Sequence, residues 1–255
     1  MRVIILRGKK MKIALTAGVV LILGILYISF CPNQWLSAVS GQTRIVPIYE
    51  VATDAQEVGI SFDASWGAEY THLILDILDE YQVKATFFLV NIWLEDYPDI
   101  AKEIADRGHE IGLHSSTHPY FTQLSDDEII KELDDNYEQI ALITGYMPCL
   151  FRPPYGDYNS RVVELVNSCG YTCIQWSVDS LDWMELTADE IVERVMKDIH
   201  AGDIVLFHNN GLHTAEALPQ ILSQLSAKGL KAVNISALLL KDDYYIDVNG
   251  IQRQK

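Results

Sequence analysis

Residues 59–90 read GISFDASWGAEYTHLILDILDEYQVKATFFLV, and the fold follows from this stretch. A short β-rich run, Gly59–Phe62, is followed by a helical pattern over Thr71–Tyr81 that sets Leu73, Ile74, Ile77, Leu78 and Tyr81 on one stripe. A second apolar run, Ala85–Val90, comes directly behind it. Strand, helix and strand in 32 residues form the repeating unit of a parallel sheet, because parallel neighbours need a long return crossover.

The alternation continues along the chain. Runs at Glu110–Leu113, Leu150–Arg152, Cys173–Val178, Asp203–Phe207 and Ala232–Ile235 bring the strands to seven. Pro98 opens a helix that Gly108 closes. Ser125-Asp126-Asp127-Glu128 and Thr187-Ala188-Asp189-Glu190 are capping boxes with helical runs behind them. An open doubly wound sheet and a barrel both fit this order. No G-x-G-x-x-G and no P-loop follows the first strand, which argues against a nucleotide site.

The chain has 255 residues, 49% of them hydrophobic and 21% charged, as a globular body requires. Its 19 Lys and Arg face 35 Asp and Glu, and five of the cations (Arg2, Arg7, Lys9, Lys10, Lys12) precede every acid. The remainder carries 14 cations against 35 acids, a net −21, which excludes nucleic acid as a partner. Behind the basic stretch, Ile13–Phe30 holds no charge, and eighteen such residues in a helix span about 27 Å, close to a bilayer core. The cation-first order predicts a signal-anchor with the body outside the cell membrane. The alternative is a secreted body, released by cleavage near Ala38–Ser40. The expected organisation is a cytoplasmic basic segment (1–12), a transmembrane helix (13–30), a linker (31–56), one α/β domain (57–242) and a C-terminal tail (243–255), acting as a monomer. Cys31, Cys149, Cys169 and Cys173 make no C-x-x-C, so a zinc knuckle is unsupported. An exported domain could oxidise them in any of three full pairings, whereas Cys169 and Cys173 read as buried thiols.

Chemistry gathers where the strands end, the edge at which parallel α/β folds place their sites. The first strand leads into Asp63 and the third into His114 and His118. The fourth leads into Arg152 and Tyr155, the fifth into Asp179, Asp182 and Trp183, and the sixth into His208. His114-Ser115-Ser116-Thr117-His118 sets two imidazoles four residues apart. If the chain turns helical there, both share a face and can grip one divalent ion with open positions for water.

Five motifs in order resemble the polysaccharide deacetylase family, also called the NodB-homology domain or carbohydrate esterase family 4. They are Ser61-Phe62-Asp63 for T/S-F-D-D, His114–His118 for H-S/T-x-x-H, Arg152-Pro153-Pro154-Tyr155 for R-x-P-Y, Asp179–Trp183 for D-x-x-D-W, and Leu206-Phe207-His208 for L-x-H. The likeness covers about Gly59 to Leu240. It implies a distorted (β/α) barrel of about seven parallel strands that removes N-acetyl groups from the amino sugars of a cell-wall polysaccharide, peptidoglycan or chitin-like. By the same resemblance Asp63 is the general base, oriented by Arg152, and His208 is the general acid, oriented by Asp182 in preference to Asp179. His114 and His118 would hold a divalent metal, zinc or cobalt. The Tyr155 amide would stabilise the oxyanion, and Trp183 and Leu206 would wall the acetyl pocket.

One position departs from the pattern. The second Asp of the first motif, the family's third metal ligand, is Ala64. Asp63, water or Glu69 are the candidates to fill the gap. The F-D-x-x-W-G form of the motif resembles a branch of the family tied to spore formation in Gram-positive bacteria. A catalytically silent glycan-binding or scaffold protein on the same fold is therefore the competing class. Retention of Asp63, Arg152, Asp182 and His208 together favours the enzyme.

Overall fold

The computed structural model describes residues 44–255. The basic segment, the expected transmembrane helix over 13–30, Cys31 and the first part of the linker lie outside the described residues. Among the described residues no helix is long and apolar enough to cross a membrane.

The core is a parallel sheet. Its strands are β2 (Glu57–Ala64), β3 (Thr86–Leu89), β4 (Glu110–Leu113), β5 (Leu150–Phe151), β6 (Thr172–Cys173), β7 (Val178–Asp179) and β8 (Ile204–His208), with β9 (Lys231–Val233) beside the start of β2. The spatial order is β6-β5-β4-β3-β2-β8-β7, an open barrel whose two free edges are β6 and β7. Helices α1 (Thr71–Glu80), α2 (Asn91–Asp96), α3 (Pro98–Asp106), α4 (Asp126–Thr144), α5 (Ser160–Ser168), α6 (Ala188–Met196) and α7 (Thr214–Ala227) supply crossovers and cover the outside. Both capping boxes form, at the starts of α4 and α6. In β2 every residue from Val58 to Ala64 is buried, as expected for a strand covered on both faces.

Three departures from the sequence reading have physical causes. The run Cys173–Val178 is two strands, not one. After β6 the chain crosses the mouth of the open barrel, Ile174 bridging Ile48 and Ser177 donating to the Ile204 carbonyl at 3.0 Å, and joins the opposite edge as β7. The end of the expected linker is structural: Ile48 and Val51 are fully buried, and β1 (Glu50–Val51) pairs with β11 (Ile251–Gln254). The expected tail 243–255 supplies β11 and the antiparallel β10 (Tyr244–Ile246), and Gln252 is buried with its side-chain amide paired to Leu240. These short strands add a second small sheet and the extra apolar cluster of Ile48, Val51, Ile174 and Ile204. Cys149, Cys169 and Cys173 are free thiols, and burial pushes the Cys173 thiol far up.

Candidate active site

Asp63 sits next to last in β2, 5% exposed. Its Oδ1 accepts from Arg152 Nη1 at 2.8 Å, and its Oδ2 lies 3.6 Å from His114 Nε2. Arg152 is fully buried. Its Nη2 donates to Ser61 Oγ at 2.9 Å and to the Gln175 carbonyl at 3.1 Å, and the guanidinium lies 4.2 Å from the Phe88 ring centroid. That ring fits there because Gly112 faces it, where a Cβ would come within 2.4 Å. Burial alone would push the Asp63 carboxyl up, but the Arg152 charge outweighs it and holds it below the usual range.

His114 follows β4 directly. Its Nδ1 lies 2.8 Å from the Arg152 carbonyl, which can only accept, so the ring proton resides on Nδ1 and Nε2 keeps its lone pair. His118 Nε2 lies 3.3 Å from that atom. The two rings meet although the chain does not turn helical. Ser115 and His118 take left-handed φ of 77° and 58°, and the loop is held from α4. There Glu132 accepts from the amides of Ser116 and Thr117, both at 2.8 Å, and buried Asn136 accepts from the His114 amide at 2.9 Å. Burial lowers both imidazoles, His118 to about 4, so both are neutral at pH 7.

His208 ends β8, paired in register with Asp63. Its Nδ1 meets Asp182 Oδ1 at 2.7 Å, its amide donates to Asp182 Oδ2 at 2.8 Å, and Thr214 Oγ1 donates to the same oxygen at 2.6 Å. Gly211 lets this turn close, since a Cβ there would stand 2.9 Å from Asp182 Oδ2. Burial opposes the charged imidazole, but the Asp182 hydrogen bond and charge prevail and raise its pKa. The Trp66 ring lies 5.1 Å from the His208 ring.

These groups open on one cleft of about 590 Å³, a size typical of ligand sites. Asp63, His114, His118, His208, Tyr155, Trp183 and Leu206 line it, while Arg152 and Asp182 stand behind their partners. Tyr155 has φ 58°, which sets its ring 4.5 Å from that of His118 and stacked at 4.4 Å on Tyr120. Asp179 also lines the cleft, but its Oδ1 accepts from the Leu181 amide, and Asp182 alone holds His208. Among the described residues, five of the seven non-glycine residues with positive φ (Ser115, His118, Tyr155, Leu181, Glu185) lie in these loops, where strain is commonly stored at functional sites. Glu132, Asn136, Thr214 and Tyr120 were not singled out from sequence. Of these, Asn136 left a signal, a polar residue on the apolar stripe of its helix with Leu133 and Ile140.

Two facing imidazole nitrogens with free lone pairs fit a divalent ion, the spacing being that of neighbouring ligands around zinc. The third protein ligand is lacking, because Ala64 is fully buried and carries no donor. Glu69 does not replace it. It is exposed, its carboxylate takes the Ala68 amide, and it lies outside the cleft lining. A different His/carboxylate group, Glu50, His200 and Asp203, lies near the start of β8, away from the cleft. There both ring nitrogens already face carboxylates, at 3.2 and 2.8 Å, and His200 is raised despite burial by Asp203 and Glu50. The ring thus bridges two carboxylates between β1 and the loop before β8, outside the cleft.

The family described as polysaccharide deacetylase matches residues 50–174. An uncharacterized protein of Bacillus subtilis, YlxY, is 35% identical over 76% of this chain, which spans 60% of that relative's length. A peptidoglycan-N-acetylglucosamine deacetylase of Bacillus cereus is 34% identical over 75% of this chain and 92% of its own. The crystal structure of a carbohydrate esterase family 4 pseudoenzyme from Bacillus anthracis superposes with a TM-score of 0.74 at 38% identity, over 78% of this chain and 71% of that one. By sequence and by fold, the chain belongs to the polysaccharide deacetylase family.

Proposed function

We propose that the protein is an N-deacetylase of a cell-wall amino-sugar polymer, peptidoglycan in the first instance, held at the outer face of the cell membrane by residues 13–30. The observation that carries this reading is that two oriented titratable groups share one cleft with the two imidazoles. Asp63 is fixed by Arg152 and His208 by Asp182, both in one cleft. A surface that only binds sugar has no use for a base and an acid with separate orienting partners.

In this reading His114 and His118 would hold a divalent ion, zinc or cobalt, which would supply Lewis acidity to the cleft when bound. Asp63 accepts the proton of the attacking water, its Oδ2 being free of the Arg152 bond. The Tyr155 amide faces the developing oxyanion. His208, whose pKa is raised by Asp182 against the effect of burial, delivers a proton to the departing amine, which leaves poorly as an anion. Trp183 and Leu206 wall the acetyl methyl.

Acetate release from purified peptidoglycan and chitin oligomers by the full chain, with and without added zinc or cobalt, tests this. Acetate is expected with metal present. Ala64 favours a second reading, a silent glycan-binding protein, and one relative in the family is a pseudoenzyme. Sugar binding with no acetate under any metal condition would establish that second reading.

A further inference from the structure

The open barrel has a seam between its free edges, and residues 46–51 span it from β6 to the start of β8. The Ile48 amide donates to the Cys173 carbonyl at 2.9 Å, and the Ile48 carbonyl accepts from the Gln175 amide at 2.7 Å. Further on, the Val51 amide donates to the Gly202 carbonyl at 3.0 Å, and Glu50 bridges Asp203. One short segment is thus bonded to both sides of the seam. Its Val46, Ile48 and Val51 side chains are buried, so packing holds it as well. Two glycines show how closely it is seated. A Cβ at Gly202 would collide with the Val51 carbonyl oxygen, and one at Gly250 with the Tyr49 ring. This strap precedes all five motifs in the chain.

The strap reaches the site through one residue. The Ile174 amide is held by the Phe151 carbonyl on β5, so Gln175 is the first residue of the crossing segment whose amide depends on the strap. Gln175 is buried, and its side-chain Nε2 is without a partner. Its carbonyl accepts from Arg152 Nη2 at 3.1 Å, and the Trp176 ring beside it lies 5.6 Å from the guanidinium. Arg152 Nε has no partner either, so the guanidinium has no acceptor in reserve. Withdrawal of the Gln175 carbonyl leaves Nη2 with Ser61 alone, and the fork then turns about the bond from Nη1 to Asp63 Oδ1. We propose that residues 46–51 are a positioning strap for the catalytic base: Ile48 fixes Gln175, Gln175 orients Arg152, and Arg152 orients Asp63. Neither Ile48 nor Gln175 lines the cleft, and both act through Arg152. Naming Asp63 the base rests on the deacetylase reading, whereas the link from strap to Arg152 does not.

The test follows the Arg152 guanidinium itself, so it does not depend on turnover. The full chain is prepared with isotopically labelled arginine, and hydrogen exchange of the side-chain N–H signals is followed by NMR at pH 7 without metal. The Arg152 signals are those missing in Arg152→Lys. Ile48→Ala loosens the strap by a cavity and Gly250→Ala by a collision with Tyr49, so either one suffices. Leu225→Ala, at a buried position of α7, is the control for general destabilisation. Both strap variants should speed exchange at Arg152 about tenfold or more beyond the control, and Ile48→Val should stay near the parent. In acetate release the same two should lower kcat about tenfold or more with KM within about twofold, since a displaced base loses rate and not affinity. Arg152 exchange no faster in the strap variants than in Leu225→Ala would overturn the strap. So would Arg152 signals that exchange in the parent as fast as those of exposed Arg44. No acetate from the parent would overturn the deacetylase reading alone, and the guanidinium signals would still decide the link from strap to Arg152.

Discussion

Replacing Arg152 with Met should be among the most damaging single changes in the domain, and the structure sets its size. The guanidinium is fully buried, with three hydrogen bonds of 2.8–3.1 Å to Asp63, Ser61 and Gln175, and it packs on Phe88. Met fills much of the space but leaves Asp63, 5% exposed, without the charge that keeps it ionised. Removing one partner of a buried ion pair costs about 3–5 kcal/mol, because the other charge stays desolvated. Against a whole-domain stability of about 5–15 kcal/mol this is a large share, and it corresponds to a melting temperature lower by about 10 °C. The assay is urea unfolding of metal-free protein at pH 7, followed by tryptophan fluorescence. Asp63→Asn combined with Arg152→Met should be less destabilised than the sum of the two single variants by about 1.5 kcal/mol or more, since the double variant buries no lone charge. An Arg152→Met variant within about 1 kcal/mol of the parent, or strict additivity in the double variant, would refute the claim that this pair organises the site.

Other outcomes follow from the same geometry. Ala64→Asp should tighten zinc binding at least about tenfold by calorimetry and raise acetate release, because it restores a charged ligand beside two neutral imidazoles; unchanged affinity would show that the two histidines do not form half of a metal site. His208→Ala should lower acetamide hydrolysis by about 10²–10⁴ while sparing part of the activity on an activated acetyl ester, whose leaving group needs no proton; equal losses on both substrates would remove His208 as the acid. His109 accepts from the Ala85 amide at 3.2 Å, its Nε2 has no partner, and burial pulls its pKa down to about 4. Its folded pKa lies below its unfolded one, so the unfolded chain binds more protons between the two. Stability should therefore fall by up to about 3 kcal/mol as pH drops from 6.5 to 4, and His109→Gln should flatten that slope; an unaltered slope would place the acid sensitivity elsewhere.

The parts of the fold that were legible in the sequence are those with enough residues to show a period. Glu110–Leu113 is a strand as read, and the helices beginning at Thr71, Pro98, Asp126 and Ala188 carry their stripes and caps openly. The split of Cys173–Val178 was hidden because each half is a two-residue strand, too short for alternation to appear. The small sheet of β1, β10 and β11 escaped because β1 is a two-residue strand whose partner β11, Ile251–Gln254, lies at the far end of the chain. The site residues were legible as strand ends. Their supports were not: Glu132 and Asn136 act from a helix remote in sequence, and the left-handed turns at Ser115 and His118 occur at residue types that do not announce them. The helical reading of His114–His118 was thus wrong about the backbone, while the two rings meet as it required.

Ala64 concentrates two duties on one atom. Arg152 binds Oδ1 of Asp63, which leaves Oδ2, 3.6 Å from His114 Nε2, as the remaining carboxylate oxygen on that side of the cleft. On the proposed mechanism a base would need a lone pair of Oδ2 to receive a proton from water, and an ion held by only two imidazoles would draw on that same oxygen. With an Asp at position 64 the ion would have its own carboxylate, and Asp63 would be left to work as a base. In this chain tighter metal binding through Asp63 and stronger basicity of Asp63 oppose each other. Ser65 adds to the same corner, since its Oγ is buried, lines the cleft and finds no partner there. Every orienting contact of the acid side, His208 with Asp182 and Thr214, is complete, so the alteration is confined to the side of the cleft where metal and base meet.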